Sequence, residues 1–410
     1  MRPLVLTIRQ PFFDTQLYMG RLYGWCLDGS VATYDWNRLL ALVIDRLGPD
    51  SRLPLECGFR RGDYLYGKHW ELLFRDEEIR NVIMRRFERW SEVPIEIENR
   101  ELESSFVGRQ DSPMPFPHAD SVVFKRKLYT AGAQGIHVAS CNKRTRKPVS
   151  TRTERRWDCP AFGLAKSRYW GLAIAAGEEG VFEYHPDRID EPTRSGNGAA
   201  RKARDCTLCE WMYFSLYGSS HNCPGFMLEF GHNSTRSKGV AQWETEEPRR
   251  KFIAELEPDS IFEARGPQGH PGGPAYTWGA HDKICRLANR QIEVVRFNPW
   301  SLQEGRPFEQ LTSVEVMETK GEFVSAQTAL FGFIVEFDNC LVIIESASNQ
   351  PLNRWGEPVN WRVFRHSKFY ANQLHVAYHD RLEVLSFNQD YFSNQETKVA
   401  GYRYSASAAT

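Results

Sequence analysis

The sequence predicts an all-β fold built from one repeated unit. Its 410 residues return repeatedly to the same local pattern: an apolar strand, a tight turn of Gly, Asn or Asp, and a second apolar strand. Those turn residues tolerate the positive φ that two-residue hairpins require. The unit recurs at about 40–50 residues, and apolar residues at helical spacing are confined to two short stretches.

Six hairpins are clear. They run Leu22–Tyr34 about Asp28-Gly29, Leu128–Ala139 about Gln134-Gly135, Tyr169–Tyr184 about Glu179-Gly180, Lys283–Val295 about Asn289-Arg290, Phe331–Ile344 about Asp338-Asn339, and Leu374–Leu385 about Asp380-Arg381. A looser one, Trp211–Phe230, turns at Gly218-Ser219-Ser220. The first gap between turns is close to twice the unit, so an eighth hairpin is inferred there, with Asp63–Tyr66 and Pro94–Ile97 as its strands. Four stretches share a second pattern, basic residues leading into an aromatic: Arg60–Tyr66, Phe124–Tyr129, Ala165–Trp170 and Arg365–Tyr370.

With these hairpins the chain resembles the β-propeller superfamily, WD-repeat-like in unit size, although the Gly-His and Trp-Asp signatures do not recur. The resemblance implies a single domain over 1–410, a β-propeller of eight blades with seven as the alternative count. It also implies closure by Leu4–Ile8 against the C-terminal strands at 382–387 and 399–404. Two stacked β-sandwiches are the competing fold, with a break at Asp187–Asp205 as the only linker candidate. Two helical insertions interrupt the strands, at about 37–48 and 76–91. Asn37 caps the first, Leu39, Leu40, Val43 and Leu47 form its apolar face, and Gly48 ends it. Asp76-Glu77-Glu78 opens the second, and Ile79, Val82, Ile83, Phe87 and Trp90 form its stripe.

Charge excludes several functions. Lys+Arg and Asp+Glu both number 52, so the chain is no bulk polycation and carries no acidic tail. No stretch reaches the roughly 18 apolar residues of a membrane helix. Nine scattered cysteines suggest reduced thiols and a cytoplasmic setting. Cys206, Cys209, His221 and Cys223 have zinc-like spacing, but a continuous strand from Trp211 to Tyr217 would hold the two halves roughly 23 Å apart. No metal or cofactor is expected. The Gly-rich segment 266–274 lacks the Lys-Ser/Thr of a phosphate loop, and no nucleophile motif appears. His137, His375 and His379 lie in or beside strands and read as structural.

The remaining candidate site is basic. Lys143, Arg144, Arg146, Lys147, Arg152, Arg155 and Arg156 fall in one run, and Arg201, Lys202 and Arg204 in another, with Arg249-Arg250-Lys251 beyond. On one rim these loops would form a positive patch for an acidic partner or phosphate. The expected function is a non-catalytic scaffold that binds another protein through loops on one face. The alternatives are a hydrolase or lyase in a central channel, or a propeller that binds nucleic acid through the basic loops. Nucleic acid is not favoured, because aromatics do not interleave with the basic run, and no membrane partner is expected.

Overall fold

The computed structural model describes residues 2–66, 73–141, 150, 152–167, 170–187, 191–196, 204–221, 224–232, 250–262, 276–288, 290–304, 307–316, 321–345, 351–388 and 392. Among them are seven sheets, six antiparallel with four strands and one of five strands that is antiparallel except for one short parallel pair. We number them by chain order: sheet 1 (14–111), sheet 2 (120–157), sheet 3 (163–194), sheet 4 (208–256), sheet 5 (276–315), sheet 6 (323–355) and sheet 7 (360–386, with 4–8 and 95–96). Each of sheets 1–6 is a meander of strands taken in order from the chain, and the two chain ends share sheet 7. This is the β-propeller arrangement. Outside sheet 7, no described sheet takes a strand from a distant segment, whereas stacked sandwiches would interleave such strands throughout.

The chain divides into two compact units. One comprises Met1–Thr130, His137–Arg155 and Val316–Thr410, the other Ala131–Ile136 and Arg156–Glu315. The suggested linker at 187–205 lies inside the second unit, so it is not a boundary.

The hairpins form where the turns predict them. Asp28-Gly29 joins Arg21–Trp25 to Ser30–Asp35, with Gly29 at φ 83°. At Gly135 (φ 92°) an added Cβ would stand 2.0 Å from the Trp157 carbonyl oxygen, so only Gly fits. Arg290 takes φ 64°, while Asn289 lies outside the described residues.

The inferred eighth hairpin is absent among the described residues. Asp63–Tyr66 belongs to a 3-10 turn, Gly62–Tyr66, and Ile95–Glu96 pairs in parallel with Leu6–Thr7. The long first gap is an insertion between the third and fourth strands of sheet 1, Ser30–Asp35 and Phe106–Asp111, rather than another sheet. Among its described residues are the helices α1 (Trp36–Leu47), α2 (Pro49–Leu55), α3 (Glu77–Ser91) and α4 (Asn99–Ser105), with a π-helical turn at Glu56–Arg60. The cap of α1 is Asp35, not Asn37: its carboxylate accepts from Arg38 N at 3.0 Å as the strand ends. Trp36, Leu39, Leu40, Val43 and Ile44 are buried, and Gly48 donates to the Ile44 carbonyl as predicted. Asp76 caps α3, but only Ile83 and Phe87 of its stripe are buried, and Ile79 and Val82 face solvent.

The insertion is stitched to sheet 7. The Gly58 carbonyl accepts from Asn372 Nδ2 (3.0 Å), Gln373 Nε2 (3.1 Å) and Ser386 Oγ (2.8 Å). Trp36 Nε1 donates to the Phe59 carbonyl at 2.7 Å.

The terminal pairing follows the sequence reading. Leu4–Ile8 runs antiparallel to Leu382–Ser386, from Leu4 opposite Ser386 to Ile8 opposite Leu382. All five of its residues are buried. Residues 399–404, the other expected strand, lie outside the described residues. Deleting residues 1–10 exposes an edge of Leu382–Ser386 and removes the partner of Ile95. Thermal unfolding of that deletion should begin at lower temperature and remain cooperative within the first unit. Leu6→Ala should cost about 3 kcal/mol in urea denaturation. A deletion that melts like the parent chain would show that the strand is dispensable.

Candidate functional site

A strand whose side chains are enclosed carries few charges, because a buried charge is costly unless paired. In the first unit, three such strands, Asp14–Tyr18 of sheet 1, Asp120–Phe124 of sheet 2 and Asn360–Val363 of sheet 7, instead carry a buried polar hub. At its centre the Asp14 carboxylate is 1 % exposed. Its Oδ1 accepts from Thr15 N (2.7 Å) and Arg362 Nε (2.8 Å), and its Oδ2 from Ser121 Oγ (2.6 Å), His118 Nε2 (2.9 Å) and Arg362 Nη2 (3.0 Å). Arg362 Nη1 continues to Asp120 Oδ1 (3.1 Å) and the Ser121 carbonyl (2.6 Å). Gln16 Nε2 donates to that carbonyl and to Ser121 Oγ. His118 is packed edge-on by Phe13, Trp25 and Phe116, with Trp25 opposite Asp14 in the strand register.

The electrostatics follow from this enclosure. Burial works to raise the Asp14 carboxyl, but the Arg362 charge and the His118 and Arg362 hydrogen bonds outweigh it and hold it well below the usual carboxylate range. Burial works against the Arg362 charge, yet Asp14 and Asp120 push it upward. Beside the hub, His375 Nδ1 pairs with Thr15 Oγ1 at 2.9 Å. Burial, reinforced by Arg362 and opposed by Asp14, lowers His375 to about 3.

Ser, His and Asp meet here without a catalytic geometry. Ser121 Oγ donates to the carboxylate, and His118 Nε2 is engaged by the same carboxylate. A nucleophile needs its hydroxyl on a histidine base. The hub therefore joins strands. Sequence reasoning missed Asp14, Asp120, Ser121 and Arg362. The available signal was charge within strand-like runs, Phe12–Leu17 and Asn360–Val363, where Asp in particular is disfavoured. The structural reading of His375 agrees with its burial, His137 is half-buried in sheet 2, and His379 is exposed at a turn.

The predicted basic residues divide. Lys143, Arg144, Arg146, Lys147, Arg201 and Lys202 lie outside the described residues, as do Arg249 and the Gly-rich segment 266–274. Arg152 and Arg155 are exposed and Arg156 is half-buried, on or beside Thr153–Trp157, the edge strand of sheet 2. Charges on an edge strand also deter edge-to-edge pairing. Arg204 is committed elsewhere: its Nε lies 2.6 Å from Glu255, it bonds Glu257, and its guanidinium faces Phe226. Arg250 departs furthest from a surface role. It pairs with Glu183, donates to the Phe214 carbonyl at 2.7 Å, and sits among the rings of Trp170, Trp211 and Phe230. Burial lowers it to about 10.

The strand argument against zinc needs correction. Trp211–Tyr217 is not one strand. It breaks at Tyr213 (φ 58°) and Phe214, between Leu208–Met212 and Ser215–Ser219. Antiparallel pairing then sets Cys209 opposite Gly218, so the cysteines and residues 220–221 lie at the same end. Cys206 Sγ donates to the Leu208 carbonyl at 3.0 Å, and Cys223 lies outside the described residues. Among the described residues no group of three or more His, Cys, Asp or Glu is placed to hold a metal ion. None of the eight described cysteines is in a disulfide, and no described helix is long and apolar enough to cross a membrane.

His375 makes stability depend on pH. Its folded pKa is depressed, so the unfolded chain binds the proton first. The contribution is complete above about pH 6.5 and is lost as pH falls from there toward 3. By pH 5 the loss should reach about 2 kcal/mol. Urea denaturation between pH 7 and pH 5 should show this slope, and His375→Gln should flatten it. An equal slope in the variant would assign the acid sensitivity elsewhere.

No family model matches this chain, and no curated protein does. Solved structures do. A computationally designed protein, Ika8, covers 94 % of this chain and 100 % of its own at 7 % identity and TM-score 0.46. The WD40 domain of Neurospora crassa Pan2 covers 94 % and 92 % at 9 % identity and TM-score 0.44. A chain of the mitotic checkpoint complex covers 70 % and 80 % at 10 % identity and TM-score 0.39.

Proposed function

We propose that the chain is a non-catalytic propeller, one domain over 1–410, that binds another protein through loops on one face. The observation that carries this reading is the closed hub. Its Asp14, Ser121 and Arg362 are spent on one another, and the Asp14 carboxylate is closed to solvent. Recognition is then left to the turns and loops. The basic loop at 143–155 is the surface we assign first, with an acidic protein segment as partner. A cytoplasmic setting belongs to the same proposal, with the nine cysteines scattered along the chain in its support.

The channel-enzyme reading has one observation in its favour, the Asp14–His118–Ser121 grouping, and the direction of the Ser121 hydrogen bond works against it. The nucleic-acid reading rests on the same basic loops and is separated by a salt-dependent RNA or DNA shift assay.

Affinity purification of the tagged full chain tests the scaffold reading. Reversing Lys143, Arg144, Arg146, Lys147, Arg152 and Arg155 to Glu tests the surface. Each exposed charge should change stability by no more than about 0.5 kcal/mol. Affinity for the purified partner should fall, and its dependence on salt should flatten. A partner that binds the reversed chain normally removes these loops from the interface.

A further inference from the structure

The repeated basic-then-aromatic stretches have no part in the hub, yet in the first unit three of the four converge. The first strands of sheets 7, 1 and 2 are held side by side by Arg362. They leave the hub toward Arg365–Lys368, Met19–Arg21 and Lys125–Lys127. Gly20 N donates to Tyr370 Oη at 3.1 Å, which joins the first two turns. Arg126 of the third lies near Tyr18, where it opposes the upward push of burial on that phenol. The Arg60–Tyr66 stretch adjoins them: Gly62 N donates to the Phe369 carbonyl at 3.0 Å, and the Arg61 guanidinium stands 4.9 Å from the Phe369 ring centre.

Within the 124–129 and 365–370 stretches the two residue types do different work. Tyr129 and Tyr370 are buried and anchor the turns, while Lys125, Arg126 and Lys368 are exposed. Segments 18–22, 124–128 and 364–370 hold six Lys or Arg (Arg21, Lys125, Arg126, Lys127, Arg365, Lys368) and no Asp or Glu. The nearby acids are engaged: Asp63 with Arg61, Glu56 with Arg60, and Asp35 as the cap of α1 and the residue opposite Arg21.

The Lys125–Arg126 turn is costly. Both residues take left-handed φ, 47° and 63°. That geometry suits Asn-Gly, and long side chains there lower stability. The equivalent turn of sheet 1 uses Gly20 at its second position. Two cations kept where Asn-Gly would fold better point to a use for their charge.

We propose that this rim of turns docks an acidic peptide segment of a partner protein, with an apolar anchor against exposed Met19 and Tyr64. It rests on the protein-binding reading and gives it a second surface with a stated chemistry. Bases of a nucleic acid are the poorer fit. Tyr64 and Phe369 each carry Arg61 on one ring face, and Tyr129 and Tyr370 are buried, so the rim offers no stacking platform.

The test uses the full chain and phage-displayed random 12-residue peptides, with affinities of recovered peptides measured by fluorescence anisotropy. Recovered sequences should be rich in Asp and Glu around an apolar residue. Their binding should weaken by about tenfold or more in Lys125→Asn/Arg126→Gly/Lys368→Glu. The double variant Lys125→Asn/Arg126→Gly alone should melt at or above the parent temperature while losing affinity, which separates binding from folding. Peptides without acidic enrichment, or unchanged affinity in both variants, overturn the proposal. So does a 12-nucleotide RNA or a phosphatidylserine vesicle that binds through these turns when no acidic peptide does. Peptides lost only on reversal of Arg152 and Arg155 would sink this surface and leave the scaffold reading standing. Failure to recover any peptide or protein ligand would remove both.

Discussion

An ion pair largely withdrawn from water, Asp14 with Arg362, sets the terms for the first unit. Moving two charges out of solvent costs several kcal/mol each unless every lone pair and N–H finds a partner. Here the carboxylate accepts five hydrogen bonds, drawn from sheets 1, 2 and 7. A one-residue slip of Asp14–Tyr18 would turn the carboxylate to the opposite face and leave Arg362 buried without its main counter-charge. The pair therefore acts less as glue than as a constraint on register, admitting one alignment of three strands 348 residues apart at the extremes.

The helical insertion obeys the same logic at a smaller scale. A loop of some seventy residues placed inside a sheet would ordinarily be free to wander. Donors from Asn372, Gln373 and Ser386 fix the π-helical turn through the Gly58 carbonyl, and Ile95–Glu96 extends sheet 7. An added Cβ at Gly58 would lie 3.0 Å from Leu4 Cδ1, so the insertion also closes over the N-terminal strand.

What could be read from the sequence was local. The hairpins were legible because strand alternation and Gly, Asn or Asp turns are written within a dozen residues. The starts of α1 and α3 were legible to within two residues, with Asp35 displacing Asn37 because the end of the preceding strand supplies the cap. The inferred hairpin at 63–97 failed where an insertion imitated a repeat: spacing alone cannot tell seventy inserted residues from another hairpin. The strand 211–217 failed because its turn residue is Tyr213, a left-handed position without Gly or Asn to announce it. The hub was illegible for a different reason. Asp14, Ser121 and Arg362 become a site only when segments from opposite ends of the chain meet, and no spacing rule connects them. Of the basic candidates, charge was readable but commitment was not, as Arg204 and Arg250 show.

The place of Leu4–Ile8 in sheet 7 has a consequence for the order of events during synthesis. Its antiparallel partner, Leu382–Ser386, is made more than 370 residues later. At roughly 5–20 residues per second, that interval is on the order of twenty seconds to more than a minute. Throughout it, an apolar pentapeptide waits with a row of amides and carbonyls that its antiparallel partner has yet to pair. Such a segment is a ready template for pairing with another chain. The nascent protein is thus most vulnerable at its first strand, and holding that strand apart until the last sheet arrives is work for a chaperone rather than for any residue of the finished fold.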